Sequence, residues 1–145
     1  MSPLSIAIPD PEHTPRFQPM FCELVPCGFP SPAAGLEDPP LDLHDYCVRR
    51  PASTYFIRCK GDSLSGAGIT SGDLLVVDCS LKPTHGAIVV ARVDGEFTVK
   101  RLRLYPTPAL EPMNPAYSLI EVEPELLEIF GVVTFGVRDY SHVPA

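Results

Sequence analysis

Proline placement sets the first limit on what this chain can fold into. Ten of its eighteen prolines fall in the first forty residues, at positions 3, 9, 11, 15, 19, 26, 30, 32, 39 and 40. Each proline lacks a backbone N–H and pins φ near about −65°, so such a stretch supplies few ladder or helix hydrogen bonds. Residues 1–37 are therefore expected to form an extended arm without a core of its own, leaving residues 38–145 as the folded body. Asp38 followed by Pro39 and Pro40 reads as a helix N-cap with proline in the first turn. Leu41, Leu43, Tyr46 and Val48 then mark a short, imperfectly amphipathic helix, which Pro51 should stop.

From Thr54 onward the pattern is β. Thr54-Tyr55-Phe56-Ile57 and Leu74-Leu75-Val76-Val77 are short, β-favouring apolar runs, bounded by turn signals at Ser71-Gly72-Asp73 and Thr84-His85-Gly86. Ile88–Val93 and Glu96–Lys100 flank Asp94-Gly95, the expected sequence for a two-residue type I′ hairpin. A loop that tight pairs residue 93 with 96, 91 with 98 and 89 with 100. Further strands are expected around Leu102–Leu104, Ala109–Pro112, Tyr117–Glu121 and Ile129–Val137. The fold class that follows is mainly β, with partly closed, twisted antiparallel sheets, one short helix and an extended N-terminal arm.

Charge and cysteine content remove several function classes. A net charge of −7 does not suit direct, strong binding to nucleic acid, which needs clustered Lys and Arg. No run approaches the ~18 apolar residues of a membrane span, and no basic start precedes an apolar stretch as in a secretory signal. The cytoplasm is the expected compartment. Cysteines 22, 27, 47, 59 and 79 are odd in number and form no C-x-x-C pair. They read as reduced, mostly buried thiols, with no metal or other cofactor expected.

Serine chemistry needs a base, and the candidates are few. Gly61-Asp62-Ser63-Leu64-Ser65 lacks the second glycine of a hydrolase elbow, and the β pattern does not fit that fold. Of the four histidines, His13 lies in the arm, His44 on the short helix and His142 in the tail. His85 remains, although Thr-His-Gly is more simply a turn. Of the three lysines, Lys60 and Lys82 look solvated, whereas Lys100 lies inside a strand, opposite Val89 and beside Thr98. Burial there would lower its pKa, which a lysine base requires. The residues alone leave Lys100 as base and Lys100 as a snorkelling surface side chain both open.

Several motifs in order go further. Leu24-Val25-Pro26-Cys27-Gly28-Phe29-Pro30 lies upstream. Gly61-Asp62-Ser63, then Ser71-Gly72-Asp73-Leu74-Leu75-Val76-Val77-Asp78, then His85-Gly86 follow in the body. Asp94-Gly95-Glu96-Phe97-Thr98-Val99-Lys100-Arg101-Leu102, Pro112-Met113-Asn114 with Ala116-Tyr117-Ser118, and Phe130-Gly131-Val132-Val133 complete the set. Together, over residues 22–137, they resemble the UmuD-like members of the LexA/UmuD family of self-cleaving Ser–Lys proteases. One departure is Leu64, where the family usually has methionine, a swap of similar volume that costs under about 1.5 kcal/mol. The short, proline-rich and acidic upstream segment does not read as the helix-turn-helix domain of a repressor.

The resemblance implies that Ser63 is the nucleophile and Lys100 its general base. It implies that the backbone N–H groups of Asp62 and Ser63 receive the oxyanion, and that the scissile bond joins Cys27 to Gly28. It implies a homodimer, cleavage stimulated by a RecA filament on single-stranded DNA, and a trimmed product that joins a UmuC-like error-prone polymerase in the SOS DNA-damage response. The other reading is a β-rich polymerase-binding module whose dyad has decayed.

Overall fold

The computed structural model describes residues 5–7, 12–21 and 37–141. Cys22 and the expected Cys27–Gly28 bond lie outside those described residues. Among the described residues, ten strands form two antiparallel sheets. The large one contains β1 (Ser5–Ala7), β4 (Thr54–Arg58), β5 (Leu74–Asp78), β6 (Ile88–Val93), β7 (Glu96–Arg103), β8 (Ala109–Glu111), β9 (Ile120–Glu121) and β10 (Glu128–Val137). Their order across the sheet is β1-β4-β5-β10-β6-β7-β8-β9, and the sheet is open. The small sheet pairs β2 (Phe17–Phe21) with β3 (Glu37–Asp42). The fold is mainly β with little helix, as expected. Among the described residues no helix is long and apolar enough to cross a membrane.

The β6–β7 hairpin forms in the register its sequence demands. Val93 pairs with Glu96, Ala91 with Thr98 and Val89 with Lys100. Asp94 and Gly95 both take positive φ, 49° and 80°, as the two central residues of a type I′ turn must. The strand expected at Leu102–Leu104 is the continuation of β7, which runs unbroken to Arg103.

Two apolar layers cover the middle of the sheet. Alternate residues of a strand point to opposite faces. Val90 and Val99 accordingly join Ile57, Cys59, Leu64, Leu75 and Val77 in one buried cluster. Val89, Ala91 and Leu102 join Leu110 in the other. Fully burying each large aliphatic side chain contributes roughly 1.5–3 kcal/mol, so the strands between β4 and β8 are the most firmly held part of the body.

The reading of Asp38 as a helix cap is corrected. Pro39 and Pro40 lie in β3, and the helix α1 spans only Leu43–Cys47 with Asp42 at its N-cap. The register of β2 on β3 shifts between Gln18↔Leu41 and Met20↔Asp38, which sets Pro19 against the Pro39-Pro40 pair. A bulge suits three residues that have no N–H to give, so proline's extended φ is used here in a short strand. The arm also makes more contact with the body than expected. β1 pairs with β4, and His13 Nε2 lies 2.9 Å from Oδ2 of the buried Asp42 while its ring stacks on His44.

Candidate active site

Ser63 follows β4 in a loop held from three directions. Gly61 N–H donates to Ser71 Oγ (3.2 Å), and Leu64, only 2% exposed, anchors the loop in the first apolar cluster. The third hold comes from the segment after β8. Met113 N–H donates to the Ser63 carbonyl (2.7 Å), and Gly66 N–H donates to the Met113 carbonyl (2.7 Å). Asn114 Nδ2 donates to the Asp62 carbonyl (3.0 Å), and Tyr117 Oη donates to Asp62 Oδ1 (2.6 Å). Close approach requires Gly66 to be glycine, since a Cβ there would sit 2.5 Å from the Met113 carbonyl oxygen.

Both carbonyls that flank Ser63 are thereby fixed, which sets the orientation of the intervening peptide planes. Leu64 fills the core position beside Met113, so the leucine that departs from the family pattern serves as an apolar anchor there.

Lys100 reaches Ser63 from β7. Its Nζ lies 3.1 Å from Ser63 Oγ, 2.9 Å from Thr98 Oγ1 and 3.3 Å from the Val99 carbonyl oxygen. The strand's two-residue period puts Thr98 and Lys100 on one face, so the threonine hydroxyl is placed to steer the amine. Burial is the main cause that lowers the Lys100 pKa, opposed in part by the Cys59 thiol. Burial likewise pushes the thiols of Cys47, Cys59 and Cys79 up, which keeps them protonated and unreactive.

The other candidate bases are occupied elsewhere or solvated. His85 accepts a hydrogen bond from the Leu104 N–H through Nδ1 (3.0 Å) and stacks on Tyr105, so it serves as a turn residue. Lys60 and Lys82 are exposed. Sequence reasoning did place Thr98 beside Lys100, but it gave no role to Asn114 or Tyr117. The signal available for those two was their presence in the Pro112–Ser118 motif.

The arrangement of a half-buried hydroxyl beside an amine of lowered basicity fits acyl transfer. Comparison with known proteins agrees with that chemistry. A family model described as Peptidase S24-like matches residues 19–134. Protein SamA of Salmonella typhimurium is 53% identical over 131 residues, covering 90% of this chain and 92% of SamA. Protein MucA of Escherichia coli is 48% identical over 124 residues, covering 84% and 85%. The LexA repressor of Methylococcus capsulatus is 48% identical over 87 residues, covering 58% of this chain and 43% of the repressor.

Proposed function

This chain belongs to the Peptidase S24-like family of LexA and UmuD proteins, and we propose that it is a self-cleaving serine endopeptidase whose only bond of interest is Cys27–Gly28. The observation that carries the proposal is the 3.1 Å approach of Lys100 Nζ to Ser63 Oγ. In this reading, neutral Lys100 takes the Ser63 proton as Oγ attacks the carbonyl carbon of Cys27. The oxygen of the tetrahedral intermediate takes negative charge and accepts bonds from the N–H groups of Asp62 and Ser63. The C–N bond then breaks, and Lys100 returns the proton to the departing Gly28 nitrogen. Water, deprotonated by Lys100, hydrolyses the Ser63 ester and leaves Cys27 with a free carboxylate.

The small Cys27 side chain suits a shallow pocket, and Gly28 lets the backbone come close to the serine. The biology that fits this chemistry is SOS mutagenesis in the cytoplasm. A RecA filament on single-stranded DNA stimulates the cut, and the trimmed homodimer serves a UmuC-like error-prone polymerase. A protein acting through such partners has no need of a basic DNA-binding surface, consistent with its charge of −7.

The test is direct. Purified chain incubated at about pH 9–10, where more of the lysine is neutral than at pH 7, should yield two fragments by mass spectrometry, residues 1–27 and 28–145. Ser63→Ala and Lys100→Ala should each stop the reaction while the fold persists. A principal cut at another bond, or undiminished cutting in either variant, rejects the assignment and favours the binding-module reading.

A further inference from the structure

Among the described residues, β1 is the outermost strand of the large sheet, and in that sheet it pairs with β4 alone. The register sets Ser5 opposite Arg58, Ile6 opposite Ile57 and Ala7 opposite Phe56. In an antiparallel strand, successive residues aim their backbone groups alternately at the two neighbours. The Cys59 N–H donates to the Asp73 carbonyl, and the Ser53 carbonyl accepts from Cys79, so odd-numbered residues serve the β5 side. The groups of Thr54, Phe56 and Arg58 therefore aim at β1. Ser5 and Ala7 are the hydrogen-bonded partners, and Ile6 opposes Ile57 without bonding.

A cut at Cys27–Gly28 removes β1 and leaves those groups on β4 without their strand. An unpaired edge flanked by a buried sheet face is a template for strand addition. We propose that trimming uncovers the β4 edge as a docking site for an extended strand of a partner protein, added antiparallel where β1 now lies. The proposal rests on the cleavage reading above and extends it from chemistry to recognition. The occupant follows from the length of the edge. A ladder of three residues buries far less than the about 1,200 Å² of a stable protein pair. It therefore suits one strand of a partner held by further contacts rather than a self-dimer. Its chemistry follows from the register: a short extended segment with free N–H groups at two alternate positions and no proline at either.

The edge can be tested without any cut. In full-length chain carrying Ser63→Ala, which keeps the arm attached, Ala7→Pro removes one of the two β1 donors aimed at β4. The probe is a fluorescently labelled peptide of residues 2–10. It should bind the Ser63→Ala/Ala7→Pro chain about tenfold or more tighter than the Ser63→Ala parent, since a bound internal strand competes in the parent. N-methylation of the peptide at Ser5 and Ala7 should abolish binding, whereas N-methylation at Ile6 should change it by less than about threefold. Equal binding to both chains, no binding to a folded double variant, or indifference to the position of methylation overturns the proposal. Self-association of the double variant that the peptide blocks assigns the edge to a second copy and overturns the partner.

Hydrogen exchange supplies the second measurement if the variant does not fold. After self-cleavage of the wild-type chain, the Phe56 and Arg58 amides should exchange at least about tenfold faster, with Tyr55 and Ile57 unchanged. Unchanged Phe56 and Arg58 amides in a demonstrably cut chain overturn the docking site alone. Absence of the two fragments overturns the cleavage reading and leaves the peptide experiment standing.

Discussion

Tyr117 Oη bonds to the carboxylate of Asp62 at 2.6 Å across 55 residues of chain, beside the serine that Lys100 approaches. The bond clasps the segment after β8 to the loop after β4. Contact with the carboxylate also raises the tyrosine pKa, so the phenol stays protonated and able to donate through the alkaline range in which the lysine gains activity.

Tyr117→Phe removes that donor and keeps the ring. Because the contact is exposed, its loss should cost about one exposed hydrogen bond and lower self-cleavage roughly threefold to tenfold. Far-ultraviolet circular dichroism should be unchanged. A rate equal to wild type in a gel-based cleavage series would show that the loop is set without this clasp.

The rate of unassisted cleavage should be slow at about pH 7 and faster at about pH 9–10. Burial disfavours the charged form of Lys100, so its pKa lies below the ordinary lysine value. As pH climbs towards that lowered pKa, the neutral fraction grows and so does the capacity to take the serine proton. The same shift has a stability sign: the folded state binds fewer protons than the unfolded one between the two pKa values, so stability increases with pH through that window. A rate that is flat or falling while the protein stays folded would count against the lysine.

Thr98→Val keeps the shape of the side chain and deletes the hydroxyl 2.9 Å from Nζ. The amine then loses the partner that aims it, and cleavage should fall about tenfold, the value of roughly one misplaced catalytic contact. Thr98→Ser should restore most of the rate. Equal loss in both variants would point to packing rather than to the hydroxyl.

Lys100→Met should abolish cleavage without weakening the fold. The lowered lysine pKa means that burial of the ammonium opposes folding at neutral pH, and methionine fills a similar volume without charge. Urea denaturation at pH 7 should show stability unchanged or slightly raised, by less than about 1 kcal/mol, because solvent screens the half-exposed amine. A clear drop would mean that the bonds to Thr98 and Val99 hold β7 more than the charge disturbs it.

If the cut serves only to remove the arm, a chain starting at Gly28 should support damage-induced mutagenesis even with Ser63→Ala. Full-length Ser63→Ala as the sole copy should not. The removed segment carries Asp10, Glu12 and Glu23 against Arg16, a net −2, so trimming shifts the charge only from −7 to −5. Wild-type mutagenesis from the full-length variant would make the chemistry irrelevant to the role.

Much of this was legible because local rules suffice for it. Asp94-Gly95 fixes a hairpin register, and that register alone puts Lys100 opposite Val89 and Thr98 on the same face. The proposed nucleophile and base come from family motifs, because no periodicity links residue 63 to residue 100. The Asp38 cap misled because a proline pair fits a helix's first turn and a bulged strand equally well, and only the facing Pro19 decides. The Tyr117–Asp62 and Asn114–Asp62 bonds arise from loops, where no spacing rule applies. The pairing of β1 involves three residues, too few to register as a pattern among so many prolines.

The strand order carries a consequence for timing. β4 and β5 precede the other half of the large sheet in the chain, and β6 to β9 follow, yet among the described strands the two halves of the sheet join only through β10. Ser63 belongs to one half and Lys100 to the other. With strands ~4.8 Å apart, four steps from β4 to β7 span roughly 19 Å in a flat sheet. Bending of the joined sheet and the reach of the serine loop close that gap. Two later pieces of chain draw the halves together: β10, which pairs with both β5 and β6, and the segment after β8, which bonds to Ser63 and Asp62. One of these follows Lys100 closely in synthesis and the other ends the sheet, so the meeting of hydroxyl and amine depends on chain made after both of them.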